Sequence, residues 1–237
     1  MKFVDILTIL KVVFKIIPWL LSVTTLHQFL YYKYPKYYFF IAKRFKKWRD
    51  TKWKITVSYR VDKDSDFFRA LEKSIDNNFK KKSKVFNLKN KKQYEFSDFI
   101  LTVQYDLDVS NTEEVIVELL FGNITATLSN SKEKLTRLRR LFTSIEREIR
   151  ITHKSYNMKI FFTSIKNPFY GLMIQRLGEE HVDYFECQFP ITSLTKKEFK
   201  EREEFDLNLT VYKDYISINN DTFDIIEEIA KKCLILE

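Results

Sequence analysis

A weak internal repeat constrains the fold of this chain more than any other feature, because two similar halves are expected to build similar structures. Lys54–Tyr59 resembles Lys159–Ser164, and both stretches are rich in the β-branched or aromatic residues typical of strands. Each stretch is followed by a segment with a helical pattern, Ser65–Phe79 in the first half and Pro168–Gly178 in the second. The sequence therefore predicts a strand and then a helix at the start of each half.

The repeat continues to the end of the chain. Asp98–Tyr105 matches Asp183–Phe189, and Glu114–Asn130 matches Glu204–Asn220. Both halves then enter an amphipathic helix with Ser or Asp near its N-cap. These two helices are predicted over Ser131–Thr152 and Asp221–Leu236.

Turn residues complete the order of elements in each half. Gly122 and Asn123 predict a tight hairpin turn in the first half, and Lys213 and Asp214 occupy the equivalent place in the second. Each half then follows the order β-α-β-β-β-α, and two such halves can continue one antiparallel sheet with the long helices on one face. The element order of residues 53–237 resembles the duplicated saddle of the TATA-binding-protein and helix-grip families. The resemblance implies a fold only, and generic β-rich patterning is the alternative.

The second constraint is an asymmetry of charge and hydrophobicity. Residues 1–54 contain twelve Lys or Arg and two Asp, a net charge of +10, whereas residues 55–237 contain 29 Lys or Arg and 30 Asp or Glu. Residues 3–25 are mostly apolar, and they are long enough to cross about 30 Å of hydrocarbon as a helix. We therefore expect an α+β fold class: an N-terminal membrane helix plus a duplicated β-α-β-β-β-α antiparallel-sheet domain.

The expected division of the chain follows from these two constraints. Residues 1–52 would hold the membrane helix and a basic, aromatic juxtamembrane segment. Residues 53–152 would form the first α+β repeat, and residues 153–237 the second.

Several polar residues of the predicted membrane helix fall on one side. At about 100° per residue they lie within a sector of about 80°, although Asp5 lies outside this sector. Three interpretations remain open: an imperfect anchor whose lysines reach the headgroups, an amphipathic helix in the plane of the interface, or an oligomer whose polar stripe faces a shared wet lumen. The stripe that would line such a pore consists of Thr8, Lys11, Lys15 and Ser22, with Pro18 also in the sector.

A basic and aromatic belt follows the apolar stretch, and residues 33–54 carry a net charge of +8. Lysine and arginine beside an apolar segment favour an anionic leaflet, and the positive-inside rule then places the remaining chain in the cytoplasm at the cell inner membrane. Nucleic-acid binding is the alternative for the same mixture. The residues predicted to contact the membrane surface are Lys43, Arg44, Lys46, Lys47, Trp48 and Arg49.

One difference between the halves suggests a ligand site. The first half contains an insertion at Lys80–Lys92 that holds seven lysines and no acidic residue. A solvated loop is one interpretation, and a phosphate-binding edge for an oligonucleotide, a nucleotide or lipid headgroups is the other. The candidate phosphate ligands are Lys80, Lys81, Lys82, Lys84, Lys89, Lys91 and Lys92.

Catalytic patterns are absent from the sequence. No CxxC, HExxH, GxSxG or Walker motif occurs, and only three glycines are present, too few for a glycine-rich phosphate loop. The histidines His27, His153 and His181 are isolated, and the cysteines Cys187 and Cys233 are too few for a disulfide framework. We expect no enzyme activity, no cofactor and no metal, and a reducing compartment for the main domain.

The layout, a short hydrophobic segment before a β-rich domain, resembles the small membrane effectors of bacterial antiphage defence. That resemblance implies helices that oligomerise to permeabilise the membrane, under the control of a nucleotide, a single-stranded oligonucleotide or a partner protein from the same operon, bound to the cytoplasmic domain. The partners would then be the lipid bilayer, further copies of the chain and this ligand. The alternatives are a passive membrane-tethered scaffold module and a soluble nucleic-acid-binding protein with a basic arm.

Overall fold

The structure is a computed structural model. It describes residues 18–19, 21–30, 33–34, 37, 40, 50–63, 65–79, 84–88, 91–106, 113–127, 129–162, 167, 169–170, 182–190 and 208–235. The strands are β1 (Asp50–Asp62), β2 (Lys84–Leu88), β3 (Lys91–Glu95), β4 (Ile100–Asp106), β5 (Glu114–Thr127), β6 (Ile151–Phe162), β7 (Glu186–Pro190), β8 (Asn208–Tyr212) and β9 (Tyr215–Asn220). The helices named here are α1 (Phe67–Asn78), α2 (Ser131–Glu148) and α3 (Phe223–Ile235).

All nine strands form one antiparallel sheet in the order β2-β3-β4-β5-β1-β6-β9-β8-β7. The first strands of the two predicted repeats, β1 and β6, pair at its centre. On either side of them lies the strand that precedes a long helix, β5 before α2 and β9 before α3. The strand order is therefore symmetric about the β1–β6 pair, except that β2 extends one edge. The chain is an α+β protein in which both predicted repeats contribute to a single sheet.

The three helices cover one face of this sheet, because they share one hydrophobic cluster with it. In β1 every second side chain, from Trp53 to Val61, is buried in that cluster, as expected for a strand with one covered face. The helices α2 and α3 each contribute buried residues three or four positions apart, as expected for one face of a helix. In α2 these are Leu135, Leu138, Leu141, Phe142 and Ile145, and in α3 they are Phe223, Ile226, Ile229, Ala230 and Cys233.

The predicted hairpin turn at Gly122 and Asn123 is wrong, because β5 runs through both residues without reversing. The pairing of β5 with β1 shifts register between Trp53 and Ile55, opposite this site. Asn123 has a φ of 59°, in the left-handed region that Gly and Asn adopt most readily. Some types of β-bulge, like some types of turn, contain a residue in this backbone conformation, and here the two residues form a bulge. In the second half, Lys213 and Asp214 do connect β8 to β9.

The predicted N-terminal membrane helix is wrong. Within the described part of the chain, no helix is long and apolar enough to cross a membrane. Residues 21–30 are helical, and at 1.5 Å per residue such a run covers only about 15 Å, roughly half of the hydrocarbon thickness.

The connection between β6 and β7 is described at residues 167, 169–170 and 182–185. Phe169 and Tyr170, inside the predicted helix 168–178, are helical, and the rest of that prediction lies outside the described residues. The Asn167 side chain donates hydrogen bonds to the backbone oxygens of Tyr212, at 2.8 Å, and Tyr215, at 3.2 Å. This amide therefore fixes the connection against the β8–β9 turn.

Candidate functional site

The sheet face opposite α1, α2 and α3 is called here the polar face. In β1 it carries Lys52, Lys54, Thr56, Ser58 and Arg60, which alternate with the buried residues and are exposed or half-buried. Side chains of neighbouring strands that pair with these residues point to the same side. The polar face is therefore a broad surface on which side chains from both predicted repeats meet.

Two lysines oppose each other at its centre. Lys54 of β1 pairs directly with Lys159 of β6, and Lys52 follows on the same face of β1. Lys52 and Lys54 are exposed and Lys159 is half-buried. Within the described residues none of the three lysines forms an ion pair. The centre of the polar face is therefore positively charged without a neighbouring carboxylate to offset it.

This arrangement has a cost in stability. Side chains that lie directly opposite in an antiparallel pair are only about 5 Å apart at Cβ, and like charges at that position destabilise the sheet. An anion bound between Lys54 and Lys159 would remove the repulsion. Lysine side chains commonly bind phosphate, and they do so as point charges without the fork geometry of arginine.

A row of aromatic rings lies beside the lysines. Phe161, which pairs with Lys52, lies 5.0 Å from the ring of Tyr215 on β9. Tyr215 in turn stacks on Tyr212 of β8 with ring centroids 4.4 Å apart and an interplanar angle of 21°. The Lys159 ammonium group lies 5.4 Å from the centre of the Tyr215 ring. This cation–π contact and the tyrosine stack hold the ring row next to the charged centre.

Amides and hydroxyls occupy the next row of the polar face. Thr56 pairs with Asn157, and Asn157 pairs with Asn219. The Asn157 amide donates hydrogen bonds to the Asn219 side-chain oxygen and to the Ser217 hydroxyl. These groups can both donate and accept hydrogen bonds, as recognition of a base edge or a sugar requires.

The rim of the aromatic row is acidic. The hydroxyl groups of Tyr184 and Tyr212 donate hydrogen bonds to Glu186 on β7. The bond from Tyr184 holds the pKa of the Glu186 carboxyl below its ordinary value. Partial burial raises the pKa of Tyr212, and the nearby Glu186 charge raises it further. The unpaired lysines therefore lie at the centre of the polar face, and the β7 edge carries the negative charge of Glu186.

The structure describes three of the seven lysines in the predicted cluster, Lys84, Lys91 and Lys92. The segment Lys80–Lys92 contributes strands β2 and the start of β3, so the expectation of a loop is wrong for these residues. Lys91 and Lys92 are neighbours in a strand and point to opposite sides of the sheet. Lys92 lies on the helix side, where its ammonium group is 2.6 Å from a Glu72 carboxylate oxygen. Lys84 lies in β2, and Lys80, Lys81, Lys82 and Lys89 lie outside the described residues.

Most of the other predicted site residues lie outside the described part of the chain. Ser22 is an exposed helical residue. The remaining members of the pore stripe, Thr8, Lys11 and Lys15, lie outside the described residues. So do all the residues predicted to contact the membrane surface, namely Lys43, Arg44, Lys46, Lys47, Trp48 and Arg49.

Among the clefts between described residues, two open on the helix side where ion pairs offset the charge. One, of about 300 Å³, lies between the β3–β4 turn and α2, where Lys134 binds Asp98 at 3.1 Å. That bond lowers the pKa of the Asp98 carboxyl. The other, of about 580 Å³, lies along α2, where Arg139 lies within 3.6 Å of Asp224. Neither cleft combines unpaired positive charge with an aromatic surface as the polar face does.

The described segments contain no group of three His, Cys, Asp or Glu side chains able to hold a metal ion. His27 is 2.8 Å from the Tyr37 hydroxyl, and His153 is exposed on β6. His181 lies outside the described residues. Burial raises the pKa of the Cys233 thiol to about 12, which keeps that sulfur protonated and unreactive.

Sequence reasoning missed the central pair, although the signal was present. The repeat aligned Lys54 with Lys159, and both begin a Lys-Ile dipeptide at the start of a repeat. Pairing of the two repeats through their first strands brings these equivalent residues together. The comparison with known proteins adds no assignment, since the sequence matches no protein-family model and no curated protein.

Proposed function

We propose that this protein is a binding module without catalytic activity, which holds a single-stranded oligonucleotide on the polar face of its sheet. The observation that carries the proposal is the direct opposition of Lys54 and Lys159, with Lys52 beside them and no ion pair for any of the three among the described residues. A phosphate group between the lysines would neutralise a repulsion that the free protein retains.

The aromatic row supports a nucleotide ligand over a simple anion. Single-stranded nucleic acids bind proteins through a positively charged track combined with aromatic rings on which bases stack. Tyr215 lies between Tyr212 and the Lys159 ammonium group, so it organises the row. Phe161 and Tyr212 flank it and are half-buried, so each presents part of its ring to a ligand.

Lysine and aromatic chemistry also indicates weak sequence preference. Arginine or asparagine forks are the groups that read base edges with high selectivity, and the charged centre contains only lysines. The amide and hydroxyl row that includes Asn157 and Asn219 adds adaptable hydrogen bonding. The ligand would therefore be held mainly through its backbone and its ring faces.

Ligand binding on this face would be the controlling step of the effector that the sequence predicts. The proposal concerns this sensing step, which depends only on the sheet. Permeabilisation of a membrane by an oligomer remains a prediction from the sequence, since the residues Thr8, Lys11 and Lys15 lie outside the described part of the chain.

Binding of labelled oligothymidylate and oligouridylate, followed by fluorescence anisotropy over a series of salt concentrations, tests the proposal. The double variant Lys54→Gln/Lys159→Gln should bind at least about tenfold more weakly and with a shallower salt dependence, by about 0.7 in log–log slope for each lost phosphate contact. Lys132→Gln is the matched control, because Lys132 is an exposed lysine on α2, on the other side of the sheet.

Two results would contradict the proposal. One is an affinity of the double variant equal to that of the unchanged protein. The other is an equal loss of affinity in Lys132→Gln, which would show a response to net charge alone. Phe161→Leu separates stacking from charge, because it should weaken binding while leaving the salt slope unchanged.

A further inference from the structure

The helical residues near the N-terminus expose an unusual amount of apolar surface. Residues 18–19 and 21–30 are helical. The exposed fractions are 66% for Trp19, 62% for Leu21, 57% for Leu26 and 46% for Phe29. Large exposed apolar surfaces on a protein in water mark sites where another surface binds.

Most of these side chains lie on one side of the helix. Trp19, Val23, Leu26 and Leu30 are spaced by three or four residues, which places them in one stripe along a helix. Thr24 and Gln28 lie on the opposite side, each about 160° from Leu26 at about 100° per residue, and one exposed apolar residue, Leu21, lies beside Gln28. An apolar stripe opposite polar residues is typical of a helix that lies at a boundary between water and an apolar phase.

The charge around this helix identifies the kind of surface it fits. No charged residue occurs between Ile16 and Tyr32, whereas residues 1–54 as a whole carry a net charge of +10. A lysine at the end of the helix, Lys33, holds its ammonium group 4.8 Å from the Phe29 ring centre. An uncharged amphipathic helix between basic flanks is complementary to an anionic lipid surface, where each basic residue contributes about 1 kcal/mol.

We infer that the helical residues 18–19 and 21–30 lie in the plane of an anionic membrane, with the stripe of Trp19, Val23, Leu26 and Leu30 at the boundary between the lipid headgroups and the acyl chains. The inference is independent of the ligand proposed for the polar face. A helix of this kind needs no membrane-spanning length, since it buries one face by only about 5–10 Å.

Co-sedimentation with lipid vesicles tests this inference. The full chain should bind vesicles of phosphatidylcholine mixed with phosphatidylglycerol, and high salt or pure phosphatidylcholine should weaken the binding. Leu26→Asp should reduce partitioning by at least about tenfold, because it removes an apolar side chain from the lipid contact and adds a repelled charge. Gln28→Asp adds the same charge on the opposite side, so it should reduce partitioning less.

Three outcomes would overturn the inference: no vesicle binding by the unchanged protein, equal binding to phosphatidylcholine alone, or equal effects of the two substitutions. The mass of the protein in solution shows whether a second copy of the chain covers the apolar stripe. A dimer that Leu26→Asp disrupts, with no vesicle binding, would assign the stripe to a second copy of the chain. Since Leu26 is 57% exposed, the variant should fold normally, and circular dichroism verifies this.

Discussion

The hydroxyl groups of Tyr59 and Tyr156 lie 3.1 Å apart inside the core, where β1 and β6 meet α2. Both tyrosines are fully buried. The Tyr156 hydroxyl also donates a hydrogen bond to Glu146 of α2, whose second carboxylate oxygen is 2.5 Å from the Lys154 ammonium group. A connected polar network therefore links the central strands to the longest helix.

Tyr156→Phe should lower the free energy of unfolding by about 1–3 kcal/mol, because it removes the shorter of the two tyrosine hydrogen bonds to Glu146 and leaves the Tyr59 hydroxyl without its closest partner. Urea denaturation followed by circular dichroism measures this loss. Tyr184→Phe is the control: Tyr184 is 74% exposed, and its loss should stay within about 0.5 kcal/mol. Equal effects of the two substitutions would show that the network does not stabilise the fold.

Alkaline pH should destabilise the protein. Burial raises the pKa of Tyr59 and of Tyr156 well above that of a free tyrosine. It also raises the pKa of Tyr105 from 10.0 to about 12 and the pKa of Cys233 from 9.0 to about 12. The folded state therefore binds these protons more tightly than the unfolded state. The stabilisation is complete below the pKa values of the unfolded chain, and it is lost as the pH rises toward 12.

The urea midpoint should accordingly fall steadily above pH 9 and change little between pH 7 and pH 8 as far as these groups are concerned. Cys233→Ala should reduce the decrease that occurs between pH 9 and pH 10, where an unfolded thiol ionises before an unfolded tyrosine does. A midpoint that rises with pH in this range would have the wrong sign for raised pKa values.

Lys54→Gln should stabilise the ligand-free protein. Because Lys54 and Lys159 lie directly opposite, removing one charge relieves a repulsion of roughly 0.2–1 kcal/mol. Thermal unfolding at low salt measures the gain, which should shrink as salt screens the repulsion. Lys132→Gln provides the matched comparison, and an equal gain there would reflect net charge only.

Lys92→Met should loosen the β2–β3 hairpin without unfolding the sheet. The Lys92 ammonium group binds Glu72 of α1 at 2.6 Å and lies 5.0 Å from the Phe68 ring centre. Methionine keeps the apolar contact and removes the ion pair, so the loss of global stability should stay below about 1 kcal/mol. Amide hydrogen exchange should accelerate in β2 and β3 and remain unchanged in β6.

Periodicity in the sequence predicted the parts of the fold that local chemistry determines. The alternation from Trp53 to Val61 and the helical spacing from Leu135 to Ile145 each identify one buried face. Local chemistry failed at Gly122 and Asn123, where the same backbone conformation serves a turn or a bulge. The pairing with β1 decides between them, and that contact is distant in sequence.

The candidate site depends on register, which the sequence does not specify. The repeat identified Lys54 and Lys159 as equivalent, but only antiparallel pairing of the first strands places them side by side. The interpretation of the lysine-rich insertion as a loop was wrong at β2 and β3 for a different reason. Its charge suggested a solvated loop, yet strands at the edge of a sheet commonly carry lysines, and β2 is such a strand.

The position of β2 at the end of the sheet has a consequence for the behaviour of the protein in a crowded cell. Among the described strands, β2 and β7 are the terminal members, so each has one row of backbone amides to which a strand from another molecule could add. At one end β2 carries the charge of Lys84, which an identical neighbouring strand would also carry, and at the other end Pro190 lacks an amide hydrogen. The same residues that the sequence marks as a charged insertion should therefore protect newly made chains from stacking into fibrils.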